Sequence, residues 1–244
     1  MNKIEAIQRD KDGLITPHGG KLKELFIQDQ NQKEKLLGEI TYEHECSERN
    51  ACDVELLIVG AFSPLDGFMN QDDYLSVIIE NRDKKGLLFG LPIVLDTDNT
   101  QIKIGDKILL AYKGQSLAIL EVESKWEPDK SSEAKFCYGT NSQDHPAVKM
   151  IFHERGRFYL GGKIFGLETP KRDFPCKTPK EVRSNLPPNY DVVAFQCRNP
   201  IHRAHYELFT NSLSSENVSE NSIVLVHPTC GPTQQDDIPG KIRY

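Results

Sequence analysis

The spacing of apolar residues changes along this chain, and each change predicts a different kind of element. Residues 47–60 carry apolar positions at helical spacing between Ser47, which can cap the start of a helix, and Gly60, which can end it. Residues 71–82 repeat the helical pattern. Three β-rich runs follow, LLFGLPIVL, DKILLAY and SLAILEVE, with turn residues between them. The pattern predicts a β-barrel-like unit of short strands with a few helices attached.

A proline-rich stretch separates this β-rich part from the rest of the chain. Residues 168–190 contain five prolines, which is typical of a domain boundary. Within the stretch, Thr178 and Glu181 have the spacing of a capping box, which predicts a short helix. We therefore expect two domains, residues 1–168 and residues 169–244.

The pattern after the boundary is that of a βαβ unit. DVVAFQ (191–196) and SIVLVHP (222–228) are predicted strands, and HRAHYELFTNSL (202–213) between them is a predicted helix. A strand, helix and strand within about 40 residues predict two parallel strands joined by a right-handed crossover. This segment therefore predicts an α/β domain.

Composition narrows the class of protein. The 244 residues are 38% hydrophobic and 27% charged, which is typical of a soluble globular chain. The chain lacks an apolar run near the roughly 20 residues of a membrane span, and its polar start does not resemble a secretory signal, so we expect a cytoplasmic protein. The net charge of −6 argues against general nucleic-acid binding. The six cysteines include no C-x-x-C pair, so we expect free thiols and no zinc ribbon.

The stretch QCRNPIHRAH (196–205) concentrates cationic and amide groups in this acidic chain. It follows a predicted parallel strand, at the edge where α/β sheets bind ligands. Asn199 and Pro200 predict an N-cap and a first helical position, which would aim free N–H groups at that edge. His202 and His205 are three residues apart and are expected on one helix face. These features predict a site for an anion, most naturally a polyphosphate.

Other interpretations of the histidines fit less well. A zinc protease helix has the pattern H-E-x-x-H, whereas here the spacing is H-x-x-H and no third ligand stands out, so we expect no protein-bound metal. The chain has neither a G-x-x-x-x-G-K-[ST] loop nor a G-x-G-x-x-G loop. ATP would therefore be bound through the helix start and the histidines.

Several stretches resemble the ATP sulfurylase family, the sulfate adenylyltransferases. QCRNPIHRAH is similar to the family's Q-x-R-N-P-x-H-x-A-H signature, and VHPTCGPTQQDDIPGKIRY resembles its His-Pro loop. PHGGKLKEL, GAFSPLDGFM, LPIVLD, YGTNSQDHPAV and YLGG resemble stretches of its PUA-like domain. The resemblance implies an α/β chain in which a PUA-like, β-rich N-terminal domain is followed by the start of a Rossmann-like nucleotidylyltransferase domain.

The resemblance also implies a substrate site at the ends of the two predicted strands. Gln196 and Arg198 are expected to bind sulfate, and Asn199 is expected to help hold ATP. His202 and His205 are expected to contact the ATP phosphates and to stabilise the departing pyrophosphate. The catalytic candidates are Arg198, Asn199, His202, His205 and, by position only, Cys197; the substrate-binding candidates are Gln196, Arg198, Asn199, His202, His205, His227 and Gly231.

The implied reaction joins ATP and sulfate to give adenosine 5′-phosphosulfate and pyrophosphate, with Mg²⁺ accompanying ATP. We expect the full-length form to be a homo-oligomer that binds neither nucleic acid nor a membrane. A PUA-like domain can bind RNA in other proteins, but this chain has no basic stripe. An aminoacyl-tRNA synthetase, another class with such a histidine pair, would need a Lys-rich second signature that these residues do not contain.

The chain departs from the family pattern at several points. Cys197 and Tyr206 stand where many members have Thr and Glu, and a thiol is a poorer donor than a hydroxyl. A further Gly-Arg-Asp-His motif of the family does not occur within the 244 residues. We therefore expect poor turnover from this chain alone, and the alternative is a truncated fragment that serves only nucleotide or anion binding or oligomer assembly.

Overall fold

A computed structural model describes residues 8–230 together with Ile238 and Ile242. The chain forms two compact units that divide after Leu22 and after Pro170. One unit is Lys23–Pro170, and the other joins the residues before Lys23 to those after Pro170. The sequence-based division instead assigned the described residues 8–22 to the β-rich domain.

The unit Lys23–Pro170 is built on a six-stranded sheet with the order β1-β4-β5-β6-β2, in which β3 also pairs with β6. β1 runs parallel to β4, and the other pairs are antiparallel. Helices lie between the strands in the chain. The strands are β1 (Tyr42–Glu45), β2 (Gly67–Phe68), β3 (Leu95–Thr97), β4 (Lys107–Tyr112), β5 (Gln115–Trp126) and β6 (Phe158–Gly166), and the helices are α1 (Gln30–Gly38), α2 (Glu48–Ile58), α3 (Gln71–Glu80), α4 (Lys130–Tyr138) and α5 (Pro146–His153).

The two helices expected in this unit are confirmed. α2 begins after Ser47, whose hydroxyl accepts the Asn50 N–H at 3.1 Å in a capping box. Just past its C-terminal end, Gly60 has a φ of 81°, a conformation that favours glycine. α3 matches the expected second helix and begins after Asn70.

One predicted strand is largely wrong. DKILLAY and SLAILEVE form β4 and β5, but of LLFGLPIVL only Leu95 belongs to a strand, β3. The earlier part packs as an irregular segment in which Leu88 and Leu91 are exposed and the Phe89 N–H bonds the Asn81 carbonyl. Pro92 carries no N–H for a ladder. A run of apolar residues alone therefore did not distinguish a buried strand from a surface segment.

The core of this unit lies between the sheet and the helices. A buried aromatic and charged group joins α3, α4 and β6: the hydroxyls of Tyr74 and Tyr159 both donate to Glu133, at 3.0 and 2.9 Å, and Arg155 pairs with Glu133 at 2.7 Å. The buried carboxylate is thus both paired and hydrogen-bonded, as burial requires. The main apolar cluster is Cys46, Ala51, Val54, Leu57, Ile58, Phe68, Leu95, Ile102, Ile108, Leu110, Leu117, Ala118, Leu120, Val122, Leu160 and Ile164.

The second unit contains α6 (Pro179–Asn185), β7 (Asp191–Cys197), α7 (Arg203–Ser212) and β8 (Ser222–Pro228), after a short 3-10 turn at His18–Gly20. The predicted capping box is confirmed at the start of α6. Both predicted strands are present, and they pair in parallel.

Residues 8–16 contact the start of β7. Arg9 pairs with Asp191 at 2.6 Å and donates to the Tyr190 carbonyl at 2.9 Å. The other carboxylate oxygen of Asp191 accepts the Ser219 N–H at 2.9 Å, just before β8. Gly13 has a φ of 76°, and a side chain there would meet Asn189 at 2.7 Å. We call this group of contacts the N-terminal clasp.

Candidate functional site

The register of β7 and β8 determines which predicted site residues are neighbours. Gln196 lies opposite His227, and Cys197 lies opposite Pro228. Because successive side chains of a strand point to opposite faces, Gln196 and His227 share one face and Cys197 lies on the other. Both strands end here at their carboxyl ends, so the predicted residues of the two strands meet at one sheet edge.

The helix start was predicted wrongly. α7 begins at Arg203, with His202 as the N-cap, so Asn199 and Pro200 are not its N-cap and first position. The chain stays non-helical through residues 198–202 as it leaves β7, and His202 has extended backbone angles (φ −125°, ψ 174°). His202 is therefore at the helix boundary rather than on a helix face.

The two histidines are nevertheless in contact. The rings of His202 and His205 stack with centroids 3.8 Å apart and planes 26° apart. The ring of His205 also lies 5.4 Å from that of Phe195 on β7, and its Nδ1 is buried without a hydrogen-bond partner among the described residues. Ring packing against Phe195 and His202 therefore helps to orient His205 beside β7.

A contact that the sequence analysis missed joins the two strand ends. The Gln196 side chain donates from Nε2 to the Thr229 hydroxyl at 3.2 Å, and the Thr229 N–H donates to the Cys197 carbonyl at 2.9 Å. Thr229 follows His227 by two residues, so both lie on the face of Gln196. This alternation along the second strand is the sequence signal that could have identified Thr229.

Other predicted residues lie close by in the chain. Arg198 and Asn199 are exposed in the segment that follows β7. Cys197 is half-buried, and all six cysteines are free, as expected. Gly231 lies outside the described residues. Arg203, a further cation that was not singled out, is 91% exposed and lies 3.6 Å from Glu207 on the same helix.

The chemistry of this edge is that of anion binding. Its polar groups are imidazoles, a guanidinium, amides and a hydroxyl, all of which can donate hydrogen bonds to phosphate or sulfate oxygens. Within residues 8–230 we find no group of three or more His, Cys, Asp or Glu side chains arranged to hold a metal ion. Nor does that part of the chain contain a helix with the length and apolar character of a membrane span.

Comparison with known proteins gives two family matches. Residues 15–169 match the PUA-like domain, and residues 175–244 match ATP-sulfurylase. The sulfate adenylyltransferases of Kluyveromyces lactis and Candida albicans are each 40% identical over 94% of this chain and 47% of their own length. That of Schizosaccharomyces pombe is 42% identical over 89% of this chain and 46% of its own length. The chain thus spans about half the length of these relatives.

A solved structure shares the fold. The hexameric APS kinase from Thiobacillus denitrificans superposes with a TM-score of 0.67 and 26% identity, over 92% of this chain and 41% of that one. The chain therefore has the expected α/β fold, and the resemblance to ATP sulfurylase expected from the sequence is confirmed: residues 15–169 belong to the PUA-like domain family, and the part with the parallel βαβ unit, residues 175–244, matches ATP-sulfurylase.

Proposed function

We propose that this chain takes part in the adenylyl transfer from ATP to sulfate that gives adenosine 5′-phosphosulfate and pyrophosphate. The observation that carries the proposal is the parallel pairing of β7 and β8, which sets Gln196 opposite His227 at the carboxyl edge, with the stacked His202 and His205 in the segment that follows β7. Such an edge is where α/β sheets bind ligands. The family relatives are named for this activity, which supports the same conclusion.

Sulfate binding is assigned to Arg198 and Gln196. Sulfate is a weak dianionic nucleophile, and the triphosphate repels it. The guanidinium of Arg198 offsets this repulsion and can orient sulfate through two parallel hydrogen bonds, while Gln196 supplies a neutral donor. Positioning one sulfate oxygen for attack on the α-phosphorus is the main contribution required of these side chains.

Nucleotide binding is assigned to Asn199, His202, His205 and His227, and to Gly231, which follows His227 in the sequence. The two stacked imidazoles can donate to the β- and γ-phosphate oxygens as negative charge develops on the leaving pyrophosphate. Mg²⁺ is expected to arrive with ATP, because a magnesium ion is commonly held by phosphate oxygens and water. The imidazoles and the guanidinium suit the phosphates and not that ion.

Covalent catalysis is not part of the proposal. Direct attack by sulfate needs no enzyme nucleophile, whereas a cysteine nucleophile needs a base and a covalent intermediate. Cys197 lies on the strand face opposite Gln196, away from this proposed sulfate ligand. Its position in the signature is therefore structural in this mechanism.

The role of Arg198 can be tested by comparing it with Arg203. Arg198 lies in the segment after β7, and Arg203 is the first residue of α7. Arg198→Ala should reduce sulfate-dependent pyrophosphate release by about 100-fold or more, because it removes a charged donor from the transition state. Arg203→Ala is the matched control, since the Arg203 side chain is exposed and pairs with Glu207. The measurement is a coupled pyrophosphate assay, run where possible in the longest form of the protein. Near-normal release from Arg198→Ala would remove the sulfate role.

The alternative is a chain that binds nucleotide and anion without turnover. One observation favours it: among the described residues of the second compact unit, Asp191 alone is buried, and no apolar side chain is. Site residues in a unit with so few buried side chains would not be held in the fixed positions that rate enhancement requires. Binding of ATP or phosphosulfate with no pyrophosphate release would support this alternative.

By analogy with the hexameric neighbour, we also propose that the full-length form is a homo-oligomer.

A further inference from the structure

Thr229 lies immediately after β8 and was not among the residues predicted from the sequence. Its N–H donates to the Cys197 carbonyl at 2.9 Å, which extends the ladder between the two strands by one residue. Its hydroxyl oxygen lies 3.2 Å from Nε2 of Gln196. We propose that Thr229 is a positioning residue that orients the Gln196 amide toward the sulfate. The inference rests on the proposed function, in which Gln196 binds that anion.

The two ends of the Gln196 amide differ in what they offer to an anion. The carboxamide of Gln196 carries an acceptor oxygen at one end and two N–H donors at the other. Sulfate only accepts hydrogen bonds, so the amide must present its nitrogen and turn its oxygen away. When the Thr229 hydroxyl accepts one N–H of Gln196, the second N–H remains free to donate to the anion. The same hydrogen bond holds the nitrogen end of the amide, and not its oxygen, toward the end of the strand.

Gln196 is exposed, so its contact with Thr229 is expected to affect ligand binding more than folding. An exposed, long side chain loses rotamer freedom when it binds a ligand, and a partner that holds it beforehand lowers that loss. The hydrogen bond to Thr229 spans an exposed strand end, so it contributes little to folding. Its main effect is therefore expected on the affinity for the anion.

Two substitutions separate the hydroxyl from the shape of the residue. Thr229→Val keeps the branched shape and removes the hydroxyl, whereas Thr229→Ser keeps the hydroxyl. Both retain the backbone N–H that bonds Cys197. Calorimetric titration with sodium sulfate, at constant ionic strength and with saturating α,β-methylene ATP, measures the anion affinity of the whole chain. A separate titration measures the affinity for α,β-methylene ATP.

The expected result is selective. Thr229→Val should weaken sulfate binding by about 3- to 10-fold, the loss of one ordinary hydrogen bond, and leave the nucleotide affinity unchanged. Thr229→Ser should stay within about twofold of the parent. In a double variant with Gln196→Ala, Thr229→Val should cost nothing beyond Gln196→Ala alone, because the effect passes through the amide.

Several results would overturn the proposal. Equal sulfate affinity in the parent and Thr229→Val would do so, and so would a parallel loss of sulfate and nucleotide binding, which indicates a structural role. If circular dichroism shows that Thr229→Val is unfolded, Thr229→Ala must show the same selective loss. A parent chain that does not bind sulfate at all would refute the proposed function and this inference with it. If the parent binds sulfate and Thr229→Val binds it equally well, only the role of Thr229 is refuted.

Discussion

Asp53 is a half-buried carboxyl group on α2 with an unusual titration. Burial raises its pKa to about 6, and the charge of Asp96 adds to the effect, while Arg155 and Arg49 oppose it. The unfolded chain has the ordinary value of 3.8. Between these two values the folded state holds a proton that the unfolded state has lost. Stability therefore falls as the pH rises from about 4 to about 6 and stays lower above that range.

Replacing Asp53 should remove this dependence. Asp53→Asn cannot lose a proton, so at pH 7.5 it should be more stable than the parent by up to about 3 kcal/mol, the value of roughly two pKa units. Urea unfolding at pH 4.5 and pH 7.5 measures the change. Glu43→Gln, an exposed carboxylate of β1 in the same unit, is the control. A parent and an Asp53→Asn protein with the same pH dependence would contradict the assignment.

At the scale of elements, the N-terminal clasp is predicted to stabilise β7. Arg9→Ala removes a charge-assisted pair with Asp191 that is mostly shielded from water, so we expect a loss of about 1–3 kcal/mol. Cleavage of residues 171–230 by a protease follows the opening of that segment and should speed up. Lys11→Ala, an exposed cation of the same turn, is the control. Unchanged cleavage in Arg9→Ala would show that the clasp does not hold the unit.

The clasp should also weaken in acid. The Ser219 N–H bond, more than the nearby Arg9, holds the pKa of Asp191 below its usual range. A carboxylate with a lowered folded pKa stabilises the fold above its unfolded value, and this contribution is lost as the pH falls through the folded pKa. The faster cleavage of Arg9→Ala relative to the parent should therefore shrink at low pH.

Local signals were sufficient for some elements and not for others. β7, β8 and α6 were predicted because a buried-type strand and a capping box depend on adjacent residues. The start of α7 was placed too early, since Asn199 and Pro200 satisfy the rules for a helix start while the chain is still crossing from the sheet. The contacts of Arg9 with β7 and of Thr229 with Gln196 join residues distant in the sequence, which no local pattern specifies.

At the scale of the whole molecule, the two compact units differ in how they are stabilised. Strands β5 and β6 contain fully buried residues, among them Leu117, Ile119 and Leu160. In the described part of the second unit the burial is limited to Asp191. Since burial of apolar surface is the main source of stability, the unit with the candidate site should open at a much lower free energy than the PUA-like unit.

Native-state hydrogen exchange tests this difference. Amides of β7 and β8 should exchange at least about tenfold faster than those of β5 and β6, because local opening is easier where little apolar surface is buried. Adding sulfate with α,β-methylene ATP should slow exchange in β7 and β8, since a ligand stabilises the state that binds it, and should leave β5 and β6 unchanged as an internal control. Uniform exchange across both units would mean that they unfold together. Slowing in β5 and β6 alone would place the ligand outside the edge formed by Gln196, His202, His205 and His227.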